Sequence, residues 1–274
     1  MNPVVLSVIA WGVLGLVIGS FLNVLIHRLP RMLEATDAPA VGETPYHLAS
    51  PRSHCPHCKT PLTAWQNIPL LSFLWLRGRC GHCQAPISRR YPLVELSNAL
   101  IWVACGLWLP WPERGAEGLA WACAGSLLLA MAWIDWETTL LPDCLTQPLL
   151  WLGLVAAELG WSGLPLSQAL WGAVVGYTSF GLIAWVFEGI TGQEGLGAGD
   201  FKLLAALGAW LGPLALIPLV FLAACSGALV GLALRARGQL RDGRYVPFGP
   251  FLACAALVLV VCRPATVLHW IGLA

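Results

Sequence analysis

The stretch "VVLSVIAWGVLGLVIGSFLNVLI", Val4–Ile26, decides the fold class. It contains no charged residue. At a rise of 1.5 Å per residue a helix of this length covers about 34 Å, enough to cross the ~30 Å hydrocarbon core of a bilayer. It is too long for the apolar region of a cleavable signal peptide and reads as a membrane span. The rest of the chain agrees. Of 274 residues, 58% are hydrophobic and 11% charged, against about 25% charged in an ordinary soluble domain. That excludes a soluble globular protein and points to an all-α integral membrane protein in contact with a lipid bilayer. The net charge of +1 singles out no class of partner, and no nucleic-acid partner is expected.

Seven more apolar runs lie near residues 93–110, 119–134, 143–160, 168–187, 201–212, 214–234 and 248–271. Together they suggest about eight transmembrane helices. The run at 201–212 is short and closed by Gly212-Pro213, which suits a short or broken helix beside a cavity. The long connection 27–92 alone resembles a small soluble domain. The expected division is a first span (1–26), a metal-binding region (27–92) and a membrane-embedded remainder (93–274). No internal repeat of fixed period is evident. Eight of the fifteen Lys and Arg lie in 27–92 and four more in 235–247. Alternating spans put both segments on one side, and the positive-inside rule makes that side the cytoplasm. The same threading puts Asp135, Asp143 and Asp200 near the cytoplasmic boundary, at one depth.

Four of the ten cysteines form two C-x-x-C pairs, Cys55/Cys58 and Cys80/Cys83, in the connection. This is the pattern of a four-thiolate zinc ribbon. Pro56 and Gly81 help the backbone curl around the ion, and a loop without a core gains its fold from the metal. His54, His57 and His82 are substitute ligands, but four thiolates already saturate tetrahedral zinc. A redox dithiol pair is the alternative, which a reducing cytoplasm disfavours. The other six cysteines sit in apolar runs and read as small hydrophobes.

Acids beside apolar spans are functional candidates. "IDWETTLLPD" carries Asp135, Glu137 and Asp143; "GLGAGDFK" carries Asp200 and Lys202; "YPLVELSNAL" carries Glu95. Asp143 and Asp200 also suit helix caps or first turns, where the helix dipole favours a carboxylate. Two aspartates on separate segments at one depth add a second reading. Close carboxylates do not readily ionise together, so one serves as general base on a water and the other as general acid.

Here the sequence resembles a family. "GLGAGD" matches the G-x-G-D signature of intramembrane-type aspartic proteases. Together with "GSFLNVLIHRLP", the paired C-x-x-C loop, "RRYPLVEL", "IDWETTLLPD" and "PFGPFL", it resembles the type IV prepilin peptidases, over about Gly19 to Leu252. Those are bifunctional leader peptidase/N-methyltransferases of the bacterial inner membrane. The resemblance implies a catalytic pair of Asp135 and Asp200, with Asp143 in support and as the rival for the first position. It implies a prepilin or pseudopilin substrate, cut after a glycine at the cytoplasmic boundary, and methylation of the new N-terminus with S-adenosylmethionine. The active sites of this multi-pass protein then face the cytoplasm. Gly195, Gly197 and Gly199 allow close approach of an extended substrate. Lys202, a supporting residue, holds Asp200 ionised or balances the site's charge, and equally suits a solvated lysine at a span end.

The methyltransferase half lacks a strand, Gly-rich loop and helix unit of the soluble cofactor-binding kind. Its site is therefore expected at the loop and nearby span ends, with Glu95, Arg90 and Tyr91 as candidates and Asn23, His27 and Arg28 nearby. Glu95 equally suits a helix cap or a partner for Arg90, and Asn23 an interhelical hydrogen bond. Three rivals stand beside this reading: a peptidase without methyltransferase activity, an ion-coupled transporter and a zinc-bearing scaffold. Acids at one edge, and no visible inverted repeat, count against the transporter.

Overall fold

The structure, a computed structural model, describes residues 3–34, 46–192, 197–239, 246–262 and 267. Gly195, Arg241, Arg244 and Arg263 lie outside the described residues. The helices are α1 (Pro3–Glu34), α2 (Leu71–Trp75), α3 (Arg90–Trp108), α4 (Gly115–Thr138), α5 (Asp143–Glu158), α6 (Leu166–Thr191), α7 (Ala198–Leu211), α8 (Leu216–Ala236) and α9 (Gly249–Cys262). Among the described residues there is no β-strand, only isolated bridges. Every apolar run carries a helix. Among the described residues, four stretches are long and apolar enough to cross a membrane: Val5–Glu34, Gly115–Thr138, Leu166–Thr191 and Pro213–Ala236.

The chain divides into two compact units, Met1–Ala130 and Met131–Ala274. In the first, α1 and α3 run antiparallel at very short range. A Cβ on Gly15 would stand 2.7 Å from Ala99 Cα, and one on Gly19 2.8 Å from Glu95 Cα. Only glycine permits that approach, the small-residue packing of membrane helices. Buried polar groups cross the interface with partners in place. Asn98 Nδ2 donates to Gly15 O at 2.7 Å, Ser126 Oγ to Asn98 Oδ1 at 2.8 Å, and Trp102 Nε1 to Ser126 Oγ at 2.9 Å. Asn23 Nδ2 donates to Tyr91 O at 3.0 Å, the expected interhelical bond.

α1 continues eight residues beyond its apolar run, to Glu34. There Arg28, 6% exposed, donates to the carbonyls of His47 (2.9 Å), Leu48 (3.2 Å) and Pro51 (2.7 Å). The guanidinium fork spreads its donors over three carbonyls, which a lysine could not reproduce. It fastens the chain entering the cysteine region to the end of α1.

The second unit is built around α7. Its residues Leu203 to Trp210 are all buried, against α5 and α6. The short run at 201–212 is thus a continuous helix of 14 residues. It ends where Gly212, at φ +80°, turns into Pro213. A Cβ on Gly172 of α6 would stand 2.1 Å from Gly208 O of α7, so these backbones touch. On the other side Trp210 Nε1 donates to Leu149 O of α5 at 3.0 Å.

Candidate active site and metal centre

The four-cysteine cluster, a candidate metal site, lies in the first unit. Backbone bonds curl each cysteine pair into the same turn. Lys59 N donates to Cys55 O (2.9 Å) and Gln84 N to Cys80 O (3.0 Å); Cys55 N donates to Thr60 O (3.0 Å) and Cys80 N to Ala85 O (2.8 Å). Leu62 N to Ser53 O and Ile87 N to Gly78 O, both 2.8 Å, close the two turns. Lys59 and Gln84 both have positive φ, 60° and 59°. The segments 53–62 and 78–87 are therefore two copies of one knuckle, offset by 25 residues. This corrects the expectation of no repeat. The shared pattern C-x-H-C-x-x-P, followed by Leu or Ile, was the signal. A search for long periods passes over it because only two short copies exist.

The four sulfur atoms lie within 4.8 Å of one another, and Cys55 Sγ and Cys83 Sγ are 3.8 Å apart. Tetrahedral zinc with ~2.3 Å bonds to sulfur requires sulfurs about 3.8 Å apart. The donor set therefore fits a four-thiolate zinc. Contacts with the Thr60 hydroxyl (3.3 Å) and Thr60 backbone bring the Cys58 thiol down to about 6. The Cys83 and His82 backbone N–H groups likewise lower the Cys80 thiol. Both effects favour thiolates at Cys58 and Cys80. At Cys83 the lowering by the Ala85 backbone is outweighed by burial and the neighbouring Cys58, Cys80 and Cys55 thiols, which push the thiol up to about 11.

Glu95, six residues into α3, is 8% exposed. Its Oε2 accepts Leu70 N–H at 2.8 Å, and Ser20 of α1 also bonds its side chain. Leu70 has φ +56°, unusual for leucine. Glu95 thus pins the segment between the knuckles to the start of α3, a tether that charge and spacing did not reveal. Any role toward a methyl donor is shared with that one. Arg90 lies over the Tyr91 ring at 5.1 Å.

The acids of the second unit fall into two groups. Asp135, near the end of α4, is 4% exposed, and its Oδ2 accepts Gly249 N–H at 2.8 Å. That donor opens α9, where helix N–H groups lack internal partners and favour an anion. Asp200 is half-buried in the first turn of α7, its N–H donating to Gly197 O at 3.0 Å. Leu141, between α4 and α5, packs against both helix starts. A Cβ on Gly199 would stand 2.6 Å from Leu141 Cβ, and one on Gly249 3.3 Å from Leu141 Cδ2 and 2.7 Å from Asp135 Oδ2. Gly199 and Gly249 therefore let α7 and α9 close around one side chain. Gly197 is different: a Cβ there meets only Asp200 Oδ2, at an ordinary 3.7 Å.

Asp143 and Lys202 form the second group. Lys202 Nζ donates to both Asp143 oxygens, at 2.6 and 2.7 Å. The partner of Lys202 is therefore Asp143, whose side chain is 62% exposed, and not the neighbouring Asp200. Asp143 opens α5, as its first-turn reading anticipated. Glu137 is exposed. Gly249 was the residue that sequence reasoning quoted, within "PFGPFL", and left without a role. The Pro-Phe-Gly-Pro setting at a helix start was its only signal.

Comparison with known proteins assigns the chain. Residues 13–109 match the bacterial peptidase A24 N-terminal domain, and residues 122–232 match the type IV leader peptidase family. A protein of Aeromonas hydrophila is 49% identical over 90% of this chain and 87% of its own length. The chain belongs to the type IV leader peptidase family. Other relatives in the family include proteins of Burkholderia pseudomallei strain 1026b (49% identical; 88% of this chain, 81% of theirs) and Pseudomonas aeruginosa (44%; 90% and 88%). All three relatives carry the name prepilin leader peptidase/N-methyltransferase. No solved structure matches the chain. The family match over 122–232 contains Asp135, Asp143 and Asp200, and the N-terminal match contains all four clustered cysteines and Glu95.

Proposed function

We propose that this chain removes the basic leader of a prepilin or pseudopilin and methylates the N-terminus that cleavage exposes. Membership of the type IV leader peptidase family supports both halves, since its relatives are named for both activities. The observation that carries the peptidase half is the buried Asp135, fixed by the N–H of Gly249 at the start of α9. Asp200 is its partner, with Leu141 packed against the helix starts beside each of them. Two carboxylates sharing a proton activate a water. One takes the water's proton as its oxygen attacks the carbonyl carbon of the leader's last glycine. The other delivers a proton to the departing nitrogen as the C–N bond breaks. The Gly249 N–H orients Asp135, and burial keeps bulk water from competing. Asp143 is a supporting residue through its ion pair with Lys202. Gly197 and Gly199 flank the approach to Asp200.

Zinc bound to Cys55, Cys58, Cys80 and Cys83 would hold the two knuckles together, a structural role for a saturated site. The methyl donor is S-adenosylmethionine. Its site draws on region 27–92 and the start of α3, with Glu95, Arg90 and Tyr91 as its candidates. Eight spans, region 27–92 in the bacterial cytoplasm, both sites on that side and a peptidase part in 93–274 complete the topology. The alternation of apolar runs and the basic residues of 27–92 and 235–237 support it. Purified protein incubated with a prepilin and S-adenosylmethionine tests the function. Mass spectrometry should find the leader lost and the new N-terminus heavier by one methyl. An intact prepilin contradicts the proposal.

A further inference from the structure

The segment between the two knuckles carries a cluster of apolar side chains that the described residues leave exposed. Trp75 is 83% exposed, Trp65 75%, Leu74 70% and Leu71 62%. Leu71, Leu74 and Trp75 are spaced i, i+3, i+4 and share one face of α2. In a loop free in water this would be a costly surface.

The depth of the segment follows from its tether. Leu70 N–H is held by Glu95, and Glu95 also bonds Ser20 of α1. Glu95 Cα lies directly across from Gly19. Gly19 is seven residues inside the end of the apolar run of α1 at Ile26, about 10 Å at the helical rise. That run is only slightly longer than a ~30 Å hydrocarbon core. With α1 spanning a bilayer, Glu95 sits within the membrane, and the backbone of Leu70 is drawn down toward it.

The backbone of the segment suits that position. Lipid offers no hydrogen bonds, so irregular chain at membrane depth must find its own partners. Here the N–H groups of Asn67, Ile68, Leu71, Ser72, Leu74, Leu76, Arg77, Gly78 and Arg79 bond carbonyls within the segment, and Leu70 bonds Glu95. Pro69 has no N–H. The exposed Arg77 and Arg79 follow directly. Tryptophan beside arginine is the composition of a membrane–water interface.

We propose that residues 65–76 dip into the lipid leaflet on the zinc side, with Leu71, Leu74 and Trp75 among the acyl chains and Arg77 and Arg79 at the headgroup phosphates. The two knuckles are then clamped at the membrane surface instead of standing free in water. This does not depend on which aspartates cleave.

Photo-crosslinking of the full chain in vesicles of phosphatidylethanolamine and phosphatidylglycerol tests it. p-Benzoylphenylalanine is introduced in turn at Leu71, Leu74 and Trp75. Val13, exposed on α1, is the lipid-facing reference, and His57, exposed on the first knuckle, the water-facing one. Each variant is checked for zinc content and prepilin cleavage. A position that loses either is set aside for the other two, or for Trp65. Lipid adducts at 71, 74 and 75 should match those at 13 and exceed those at 57 several-fold. Adducts as scarce as at 57 overturn the proposal. So does crosslinking to a second copy, or to added prepilin, in place of lipid.

Discussion

Gly249→Ala places one methyl group against the carboxylate proposed to cleave. The new Cβ would stand 2.7 Å from Asp135 Oδ2 and 3.3 Å from both Asp135 Cγ and Leu141 Cδ2. A contact under 3 Å does not survive, so either α9 backs away or the carboxylate turns. Overpacking of this kind costs roughly 1–3 kcal/mol. Loss of a hydrogen bond to a charged group costs about 1.5–3 kcal/mol more if Gly249 N–H no longer reaches Oδ2. Helix propensity works the other way, since alanine is favoured over glycine by up to ~1 kcal/mol. A loss of stability would therefore come from the clash and the strained hydrogen bond, not from helix propensity. Turnover should suffer more than stability, because a catalytic group misplaced by about 1 Å can cost ~10²-fold in rate. We expect the variant to reach the membrane, keep its zinc and cleave prepilin about 10²-fold more slowly, by the misplacement argument. The assay is leader loss on a gel over time, with a thermal melt in detergent beside it. Cleavage at the wild-type rate would refute the claim that this N–H positions the catalytic carboxylate.

Lys202→Met removes an ion pair whose carboxylate is largely exposed, and such pairs contribute about 0–1 kcal/mol. Cleavage should change little and its pH profile should stay in place; a displaced profile would show that Lys202 acts on the catalytic pair. Glu95→Gln keeps an acceptor for Leu70 N–H and Glu95→Ala does not. If the charge serves methyl transfer, Gln lowers methylation with cleavage intact, measured by the methyl increment on mature pilin. If tethering is its whole role, Gln is silent and Ala alone impairs methylation. Zinc uptake by metal-free protein should release fewer than four protons near pH 7, because the Cys58 thiol, lowered to about 6, is already largely ionised. A lowered thiol loses its charge only as pH falls through that value, so the count should rise toward four at about pH 5, read by calorimetry in two buffers. Four protons at both pH values would contradict an ionised Cys58 thiol.

Much of the fold was legible because apolar runs long enough for a membrane leave few alternatives. Each of the eight runs carries a helix in the structure. The limits were less legible where polarity and helicity part company. α1 runs on through His27 to Glu34 because Arg28 finds three loop carbonyls there, and nothing in the residues themselves announces those partners. The short α2 was hidden between the cysteine pairs, where attention to the tetrad left a five-residue apolar turn unread. The cysteine cluster itself was legible from spacing alone, since metal ligands must recur at turn distances. The partners of the acids were not. Lys202 stands two residues from Asp200, and local spacing favoured that neighbour. The structure turns it to Asp143, 59 positions away. Gly249 lies 114 positions from Asp135, a separation at which only three-dimensional packing makes a pair.

The central claim is that Asp135 and Asp200 together cut the prepilin, with Asp143 in support. The direct test is the single-turnover cleavage rate of purified Asp135→Asn, Asp143→Asn and Asp200→Asn proteins, each shown to be folded by its zinc content and melting profile. Asparagine keeps the size of each side chain and removes its capacity to share a proton. The rate should fall to background for positions 135 and 200, while Asp143→Asn keeps cleaving at close to the wild-type rate, because the ion pair with Lys202 that it loses is largely exposed. Substantial cleavage by Asp135→Asn together with none by Asp143→Asn would contradict the account and move the pair to Asp143 and Asp200.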